Sequence, residues 1–594
     1  MRFKVPRPFA DKPVVEEEKA PQDIENTTAN DKETGVTAKE RDSSLERDDS
    51  DAEFQRGDEA IRAMTQIWTK RDLIIAYFLI WLVCFIQAFS DGIISTMVPY
   101  VTSNFGLHSL TSTMSIVASL VSGLIKLPYA KLLNIWGRPQ SFGLAIIVMT
   151  LGLIMMAACN SVYVYAAALV FYNVGYSTIS YTTTIFIADT SSLKSRALML
   201  GFASSPYLAT VWAYGPAAQD ALEGIGFRWG LGVWAIVYPA VCAPLWALFY
   251  FYQRKAEKAG LIKSNPSDRS LVQSIIYWGK EFDVIGLLLV ATGLALFLLS
   301  FSIYSYQKNE WKSPLIICFL IFGGLLVIAF GLWEKYLAPV TFIPWHLITN
   351  RTIIFTYTMM ASIYTAWYVW DNYFYSFLVV VFRESVTHAT YITNIYTVGS
   401  CFMAIVMGVV ILYNGRLKWQ ALYFGVPLTV LGVALMIKFR QPDTNIGYIV
   451  MCQIFIAFGG GILVICEQMT VMAVSTQREI PAVIAMESMI ANVGGAIGSA
   501  IAAAMWTGIF PKKLLEYLPE DDLADFASIY GDMTIQASYA DGTDTREAIV
   551  HAYADTQRLM LITATSLYAI TLFSVLMWKD VNVKKIKQVK GVVW

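Results

Sequence analysis

The chain of 594 residues is 56% hydrophobic and 15% charged, with a formal net charge of -1 and a mean hydropathy of +0.51. Soluble domains carry nearer ~25% charged residues, so water is not the main solvent of this chain, and the balanced charge gives nucleic acid no handle. The seven cysteines fall in apolar stretches without CxxC spacing and the four histidines form no HExxH pattern, so neither a metal site nor a cofactor is expected.

Residues 1–71 are polar and acidic, with runs such as Glu16-Glu17-Glu18 and Asp48-Asp49-Ser50-Asp51. Such a segment buries too little apolar surface to order itself, and is expected to be a disordered tail rather than a secretory signal. A spanning helix needs ~20 mostly apolar residues, and about fourteen segments meet that measure. The expected fold class is therefore an all-α membrane protein. Six spans lie within 72–252, a basic linker covers 253–283, two spans lie within 284–333, and six lie within 353–578 before a basic tail, 579–594. The last outer loop, 511–557, is long and polar, which predicts either an ordered cap or a functional lid.

Lysine and arginine gather in alternate loops: Lys131/Arg138, Lys194/Arg196, Arg254 to Lys280, Lys335/Arg351, Arg416/Lys418 and Arg478. The tail adds Lys579, Lys584, Lys585, Lys587 and Lys590. The positive-inside rule then places both termini in the cytoplasm, where the sequons at Asn26 and Asn350 would be silent. A layout of six, two and six spans suits two halves that rock around a midplane site, with the extra pair tying them together.

An ionisable side chain at membrane depth costs at least ~2.5 kcal/mol, which makes each one a functional candidate. Asp91 has Gln87 and Ser95 one turn away on either side, a polar stripe that lines the transport path or carries a proton, or else anchors the span near the outer surface. Asp371 stands among Tyr364, Trp367, Trp370, Phe374 and Tyr375. Helical spacing puts Trp367, Trp370, Asp371 and Phe374 on one face. That face is an aromatic wall for a large, partly polar ligand, or ordinary packing with an interfacial belt. Glu487 shares its span with Gly494, Gly498 and Ala502, a small-residue face for close helix contact. Glu467, beside Gln468, is a fourth carboxylate, and Lys126 either snorkels or pairs with an acid. Proton coupling needs a carboxylate whose proton affinity rises when it is sealed from water, and Asp91, Asp371, Glu467 and Glu487 are the candidates. No GxxxxGK[ST] sequence or catalytic constellation is present, which argues against ATP-driven transport and against an enzyme.

Several motifs are familiar in combination. Lys126-Leu-Pro-Tyr-Ala-Lys131 followed by Asn134-Ile-Trp-Gly137-Arg138-Pro139 resembles the signature loop of the major facilitator superfamily. The usual Asp-Arg pair before Gly-Arg is Asn134-Ile135 here, which weakens the charge relay expected of Lys131, Gly137 and Arg138. Gly215-Pro216 and Phe227-Arg228-Trp229-Gly230 are similar to fourteen-span members. Asp91-Gly92, Pro99-Tyr100, the run Tyr373 to Leu378, Gly459-Gly460-Gly461, Gly494 to Gly498 and the outer-loop set Tyr530, Tyr539, Arg546 and Tyr553 resemble the fungal siderophore-iron transporter family. The resemblance covers about residues 70 to 580.

That resemblance implies a major facilitator fold and proton-coupled import of ferric, hydroxamate-type siderophores by a monomer in lipid. The plasma membrane is expected, with endosomal or vacuolar membranes as alternatives. It implies substrate contacts from Asp91, Tyr100, Tyr364, Trp367, Trp370, Asp371, Phe374 and Tyr375. The outer-loop residues would capture an iron chelate, or simply build a folded cap. The family also holds glutathione exchangers and haem importers, and drug exporters share the fourteen-span layout, so those readings stay open.

Overall fold

The computed structural model describes residues 60–104, 118–261, 270–338 and 345–586, apart from 62, 66, 119, 120, 305, 306, 308 and 532. Residues 1–59 of the expected tail 1–71, the Asn26 sequon and the lysines at 587 and 590 lie outside these residues. Secondary structure is helical almost throughout. The helices of the first half are α1 (Lys70–Asn104), α2 (Lys126–Trp136), α3 (Arg138–Ala158), α4 (Val162–Thr190), α5 (Leu193–Ser204), α6 (Tyr207–Glu223) and α7 (Gly226–Lys258). The linker region forms α8 (Leu271–Glu281), α9 (Val284–Ile303) and α10 (Pro314–Tyr336). The second half comprises α11 (Arg351–Asp371), α12 (Phe374–Val380), α13 (Val386–Asn414), α14 (Val426–Phe439), α15 (Ile446–Val474), α16 (Ile480–Tyr517), α17 (Phe526–Gly531), α18 (Met533–Ser538) and α19 (Asp544–Leu576).

Among the described residues, nine helices are long and apolar enough to cross a bilayer, or ten if the bent pair α8–α9 counts as one span. The shortfall from fourteen has a physical reason at particular places. Helices α4 and α11 are 29 and 21 residues long, yet Ser, Thr and Tyr dilute their hydropathy because they face other helices rather than lipid. The expected span 198–217 is interrupted between α5 and α6 at Ser205-Pro206, and the expected span 353–381 is interrupted after Asp371. The opposite extreme is α10, only 11% buried over its apolar window, which presents Leu315, Ile321, Phe322, Leu325, Ile328 and Leu332 outward as a lipid face.

Local chemistry sets the helix ends. Gly137 takes φ +98° between α2 and α3, and Pro139 then opens α3 where its missing N–H is not needed. Ser385 caps α13 by accepting from the His388 amide, and Gly415 at φ +75° stops it. The two halves meet along α5 and α13, where Gly201 lies against the Ala404 backbone; a Cβ there would stand 2.9 Å from the Ala404 carbonyl oxygen. Small residues at this seam replace the hydrophobic drive that lipid does not supply.

Residues 60–71 correct one expectation. They do not belong to a loose tail: Ala60, Ile61 and Met64 are buried, and Trp68 packs on Phe249 and Tyr252 at 5.5 and 5.6 Å. The segment after α19 is also tied down. Lys418 Nζ donates to the carbonyls of Leu576 and Trp578 at 2.7 and 2.8 Å, and the Val583 amide donates to Gly415 O at 2.9 Å.

Candidate functional site

A cavity of about 400 Å³ lies between the halves. The first half lines it with Cys84 and Gln87 of α1, Tyr176, Ser180, Thr183 and Thr184 of α4, and Ser204 and Tyr207 of α5 and α6. The second half contributes Tyr364 and Trp367 of α11, Tyr396, Ser400 and Cys401 of α13, and Gly461, Glu467 and Gln468 of α15. Small residues make the space: the backbone of Gly461 comes so close to Ser400 that any side chain there would run into it. The wall is hydroxyl-rich and aromatic, and Glu467 is its carboxylate; no Lys, Arg or His lines it among the described residues.

A second cavity of about 260 Å³ adjoins the first and shares Ser180, Thr184, Tyr364, Val464, Glu467 and Gln468 with it. Lys126 of α2 enters from one half and Glu487 of α16 from the other. Glu467 and Glu487 are 1% and 2% exposed. Both carboxylate oxygens of Glu487, and Oε1 of Glu467, lack a protein hydrogen-bond partner. A buried carboxylate without a donor is unfavourable unless its proton or a cation compensates it, so these groups are kept for something other than stability.

The remaining sequence candidates are placed differently. Asp91 is half-buried and accepts from Tyr172 Oη at 3.2 Å. Tyr172 stacks obliquely on Tyr176, whose hydroxyl lies 3.1 Å from that of Tyr207, so Asp91 stands one layer behind the cavity wall. Gln87 reaches the cavity, whereas Ser95 is exposed and bonded to Gly92 O. The side chain of Tyr100 lies outside the described residues.

The expected single face of Trp367, Trp370, Asp371 and Phe374 is divided: within α11 the arc between Trp367 and Trp370 is wide enough for the two to meet different neighbours, and α11 then ends at Asp371 with a turn at Asn372-Tyr373 before α12. Tyr364 and Trp367 face the cavity. Trp370 and Phe374 are fully buried on the other side, against Arg440, whose guanidinium sits 4.4 Å from the Phe374 centroid and donates to Trp370 O at 2.9 Å. Asp371 and Tyr375 line neither cavity.

The described residues of 511–557 form a folded cap in which α17 and α18 join the ends of α16 and α19, so Pro511 to Tyr517 continue α16 rather than open a loop. Arg546 is 4% exposed; it donates to Gln536 O at 3.3 Å and to Val380 O, and its Nε lies 3.7 Å from Asp541. Tyr553 Oη donates to Gln536 Oε1 at 2.7 Å, and its ring packs on Trp506 and Phe510. Tyr530 stacks on Phe526, and the Tyr539 carbonyl accepts from Arg383.

At the signature-loop end, Arg138 does find a carboxylate despite the missing Asp-Arg pair. It pairs with Asp189 of α4 at 2.9 Å, both side chains being almost wholly buried, and lies 3.5 Å from Asn134 Oδ1. Gln477 of the other half donates to Asp189 Oδ1 at 3.0 Å, and Arg196 donates to Ala188 O at 2.7 Å. Lys131 Nζ donates to the Glu281 carbonyl at 2.7 Å, which fastens the signature helix to α8. Gly137 supplies the turn that aims Arg138 inward. Asp189, Arg196, Gln477 and Arg440 escape a reading of sequence alone: their partners are 51 to 289 residues away or lie on other helices. Charge beside a run of hydroxyl residues, as in Asp189-Thr190-Ser191, is the local signal that such a site leaves.

The geometry is that of two helical halves around a central polar cavity, and comparison with known proteins agrees. Residues 80–382 match the model described as Major Facilitator Superfamily. The chain is 53% identical over 562 residues, 95% of each chain, to "MFS siderochrome iron transporter 1" of Ajellomyces capsulatus. It is 40% identical over 91% of its length and 89% of the relative's to "Siderochrome iron transporter 2" of Aspergillus fumigatus. Among solved structures, the human organic anion transporter MFSD10 (TETRAN) superposes with a TM-score of 0.52 at 11% identity, covering 84% of this chain and 98% of that one, a likeness of fold alone. Membership of a transporter superfamily sets the chain among carriers rather than enzymes. The chain belongs to the siderophore-iron transporter family of the major facilitator superfamily.

Proposed function

We propose that this chain imports ferric siderophores of the hydroxamate type by proton symport with alternating access. The observation that carries this reading is the chemistry of the larger cavity. Its wall offers Tyr, Ser and Thr hydroxyls and the amides of Gln87 and Gln468, with aromatic faces from Tyr364, Trp367 and Tyr396 and no cationic lining residue among those described. A chelate with hydroxamate and amide oxygens and no net negative charge satisfies such a wall. A carboxylate- or catecholate-rich chelate would bring net negative charge against a wall that offers it no cation, which low dielectric penalises. Glutathione, an anionic peptide at neutral pH, fits poorly for the same reason.

Alternating access is read from the ties at the two ends. At the signature-loop end Gln477 bridges to Asp189, and Tyr181 donates to Pro481 O. At the far end Asn394 donates to Tyr214 Oη at 2.8 Å, and Trp212 packs on Tyr391 at 5.2 Å. Breaking one set while keeping the other opens the cavity to one side. The signature-loop end faces the cytoplasm in this reading, with both chain termini, and the protein works as a monomer in the plasma membrane.

The test is uptake of radioactive iron, supplied as a ferrichrome-type chelate or as an anionic catecholate chelate, in cells lacking their own siderophore carriers. Hydroxamate-bound iron should enter only when this chain is present, and entry should collapse with a protonophore. Surface-displayed protein that takes up neither chelate would overturn the reading. Equal uptake of both would overturn the hydroxamate preference alone.

A further inference from the structure

The second cavity holds one cation and two carboxylates at membrane depth: Lys126, Glu487 and Glu467. Lys126 and Glu487 are close enough for their charges to act on each other, as are Glu487 and Glu467. Glu467 also forms part of the cargo cavity, whereas Lys126 and Glu487 do not. The other titratable groups facing the cluster are Tyr181, Tyr357, Tyr364, Tyr396 and Cys466. Phenols and thiols are ordinarily neutral at pH 7. Two of these hydroxyls are also committed: Tyr357 donates to Val483 O at 2.9 Å, and Tyr181 to Pro481 O. The charge count is therefore set by Lys126 and the two glutamates, and it leaves one negative charge over.

An uncompensated ion in a low-dielectric site from which water is excluded costs several kcal/mol, so the cluster sealed around a chelate, which displaces the cavity water, must be neutral. We propose that Lys126 holds Glu487 ionised across the interface between the halves, that Glu467 carries the single transported proton, and that the carrier therefore moves one proton per ferric chelate. Opening to the acidic side admits the proton to a Glu467 oxygen. Sealing around the chelate keeps it there, opening to the other side returns it to water as the chelate leaves, and water filling the emptied cavity solvates the ionised Glu467 while the carrier resets. Because Glu467 belongs to both cavities, its protonation and cargo occupancy are sensed at one residue.

This inference rests on the symport reading, and its test separates the two. The full-length protein is placed in vesicles with a trapped pH dye, and protons entering per radiolabelled iron of a ferrichrome-type chelate are counted. The wild-type protein should give a ratio of one. Glu487→Gln leaves Lys126 balanced by an ionised Glu467, and the ratio should fall to zero. Lys126→Met leaves two carboxylates, and the ratio should rise to two. The double substitution restores the balance of one proton and should return the ratio to one, including where either single variant is inactive. A wild-type ratio of zero with net iron uptake would sink symport itself. A wild-type ratio of two, an unchanged ratio in Glu487→Gln, or a folded but inactive double variant would overturn the cluster assignment while leaving symport standing.

Discussion

The cap between α16 and α19 and the central cavities use the same kinds of residue for opposite ends. Both bury charge and tyrosine. In the cap, Arg546 is 4% exposed and reaches Gln536 O, Val380 O and Asp541, while Tyr553 is matched to Gln536 Oε1. In the cavities, Glu467 and Glu487 are buried just as deeply with carboxylate oxygens that meet no donor. A buried polar group whose valences are filled holds a structure together. One whose valences are open waits for a ligand, a proton or a change of state. Of the loop tyrosines that attract notice in sequence, Tyr553 is committed to the cap's own packing, whereas Tyr530 and Tyr539 stay partly exposed.

The hardest blow to this comparison should fall at a third place, where burial and complete pairing coincide with the junction of the halves. Arg138 and Asp189 are 1% and 2% exposed and 2.9 Å apart. Removing one partner of a buried pair leaves an uncompensated charge and costs about 3–5 kcal/mol. Arg138→Ala should therefore lower thermal stability in detergent by that order and abolish uptake. Asp189→Asn, which keeps an acceptor for Arg138 but not the charge, should retain more stability than Arg138→Ala while still slowing uptake. Equal stability of wild type and Arg138→Ala would break the claim that this pair is structural.

The cap is the next target. Hydrogen bonds made by a charged donor contribute about 1.5–3 kcal/mol each, net of exchange with water, so Arg546→Met should loosen the described residues of 518–543 and expose that segment to protease. Uptake per surface molecule should stay within about twofold of wild type if the cap is only a scaffold. A cap that resists protease as before while uptake falls more than tenfold would show instead that it acts as a lid. A smaller effect is expected at the helix seam: a Cβ on Gly494 would stand 2.8 Å from Ala361 O. Overpacking of that kind costs about 1–3 kcal/mol, so Gly494→Ala should lower the unfolding temperature and slow transport without altering which chelate is taken.

Much of this was legible in the residues. Apolar length marked the membrane helices, and intramembrane carboxylates marked Glu467 and Glu487 as groups that packing alone does not explain. What local pattern could not supply was the break after Asp371. Periodicity assumes one uninterrupted helix, and on that assumption Phe374 shares a face with Trp367. Asp371-Asn372 are weak helix formers that favour turns, and that was the signal available; no proline or glycine announced the stop. Lys126 was ambiguous for another reason. Whether a lysine snorkels or pairs depends on what α16 brings opposite it, more than 350 residues away, and no spacing rule encodes that distance.

The last and smallest effect should come from within the cap itself. Asp541 serves two arginines: Arg383 Nε at 2.9 Å and Arg546 Nε at 3.7 Å. Its own side chain is 73% exposed and that of Arg383 41% exposed, so water and salt screen the attraction. Exposed pairs contribute about 0–1 kcal/mol, and Asp541→Asn should destabilise the protein by less than about 1 kcal/mol, with the difference shrinking as salt is raised. Arg546→Met should keep its full effect at the same salt, because its bonds to Gln536 O and Val380 O are buried and do not depend on Asp541. If instead Asp541→Asn proved as damaging as Arg546→Met, the cap would be held by surface charge rather than by buried hydrogen bonds. The contrast drawn between filled valences there and open ones in the cavities would then lose its physical basis.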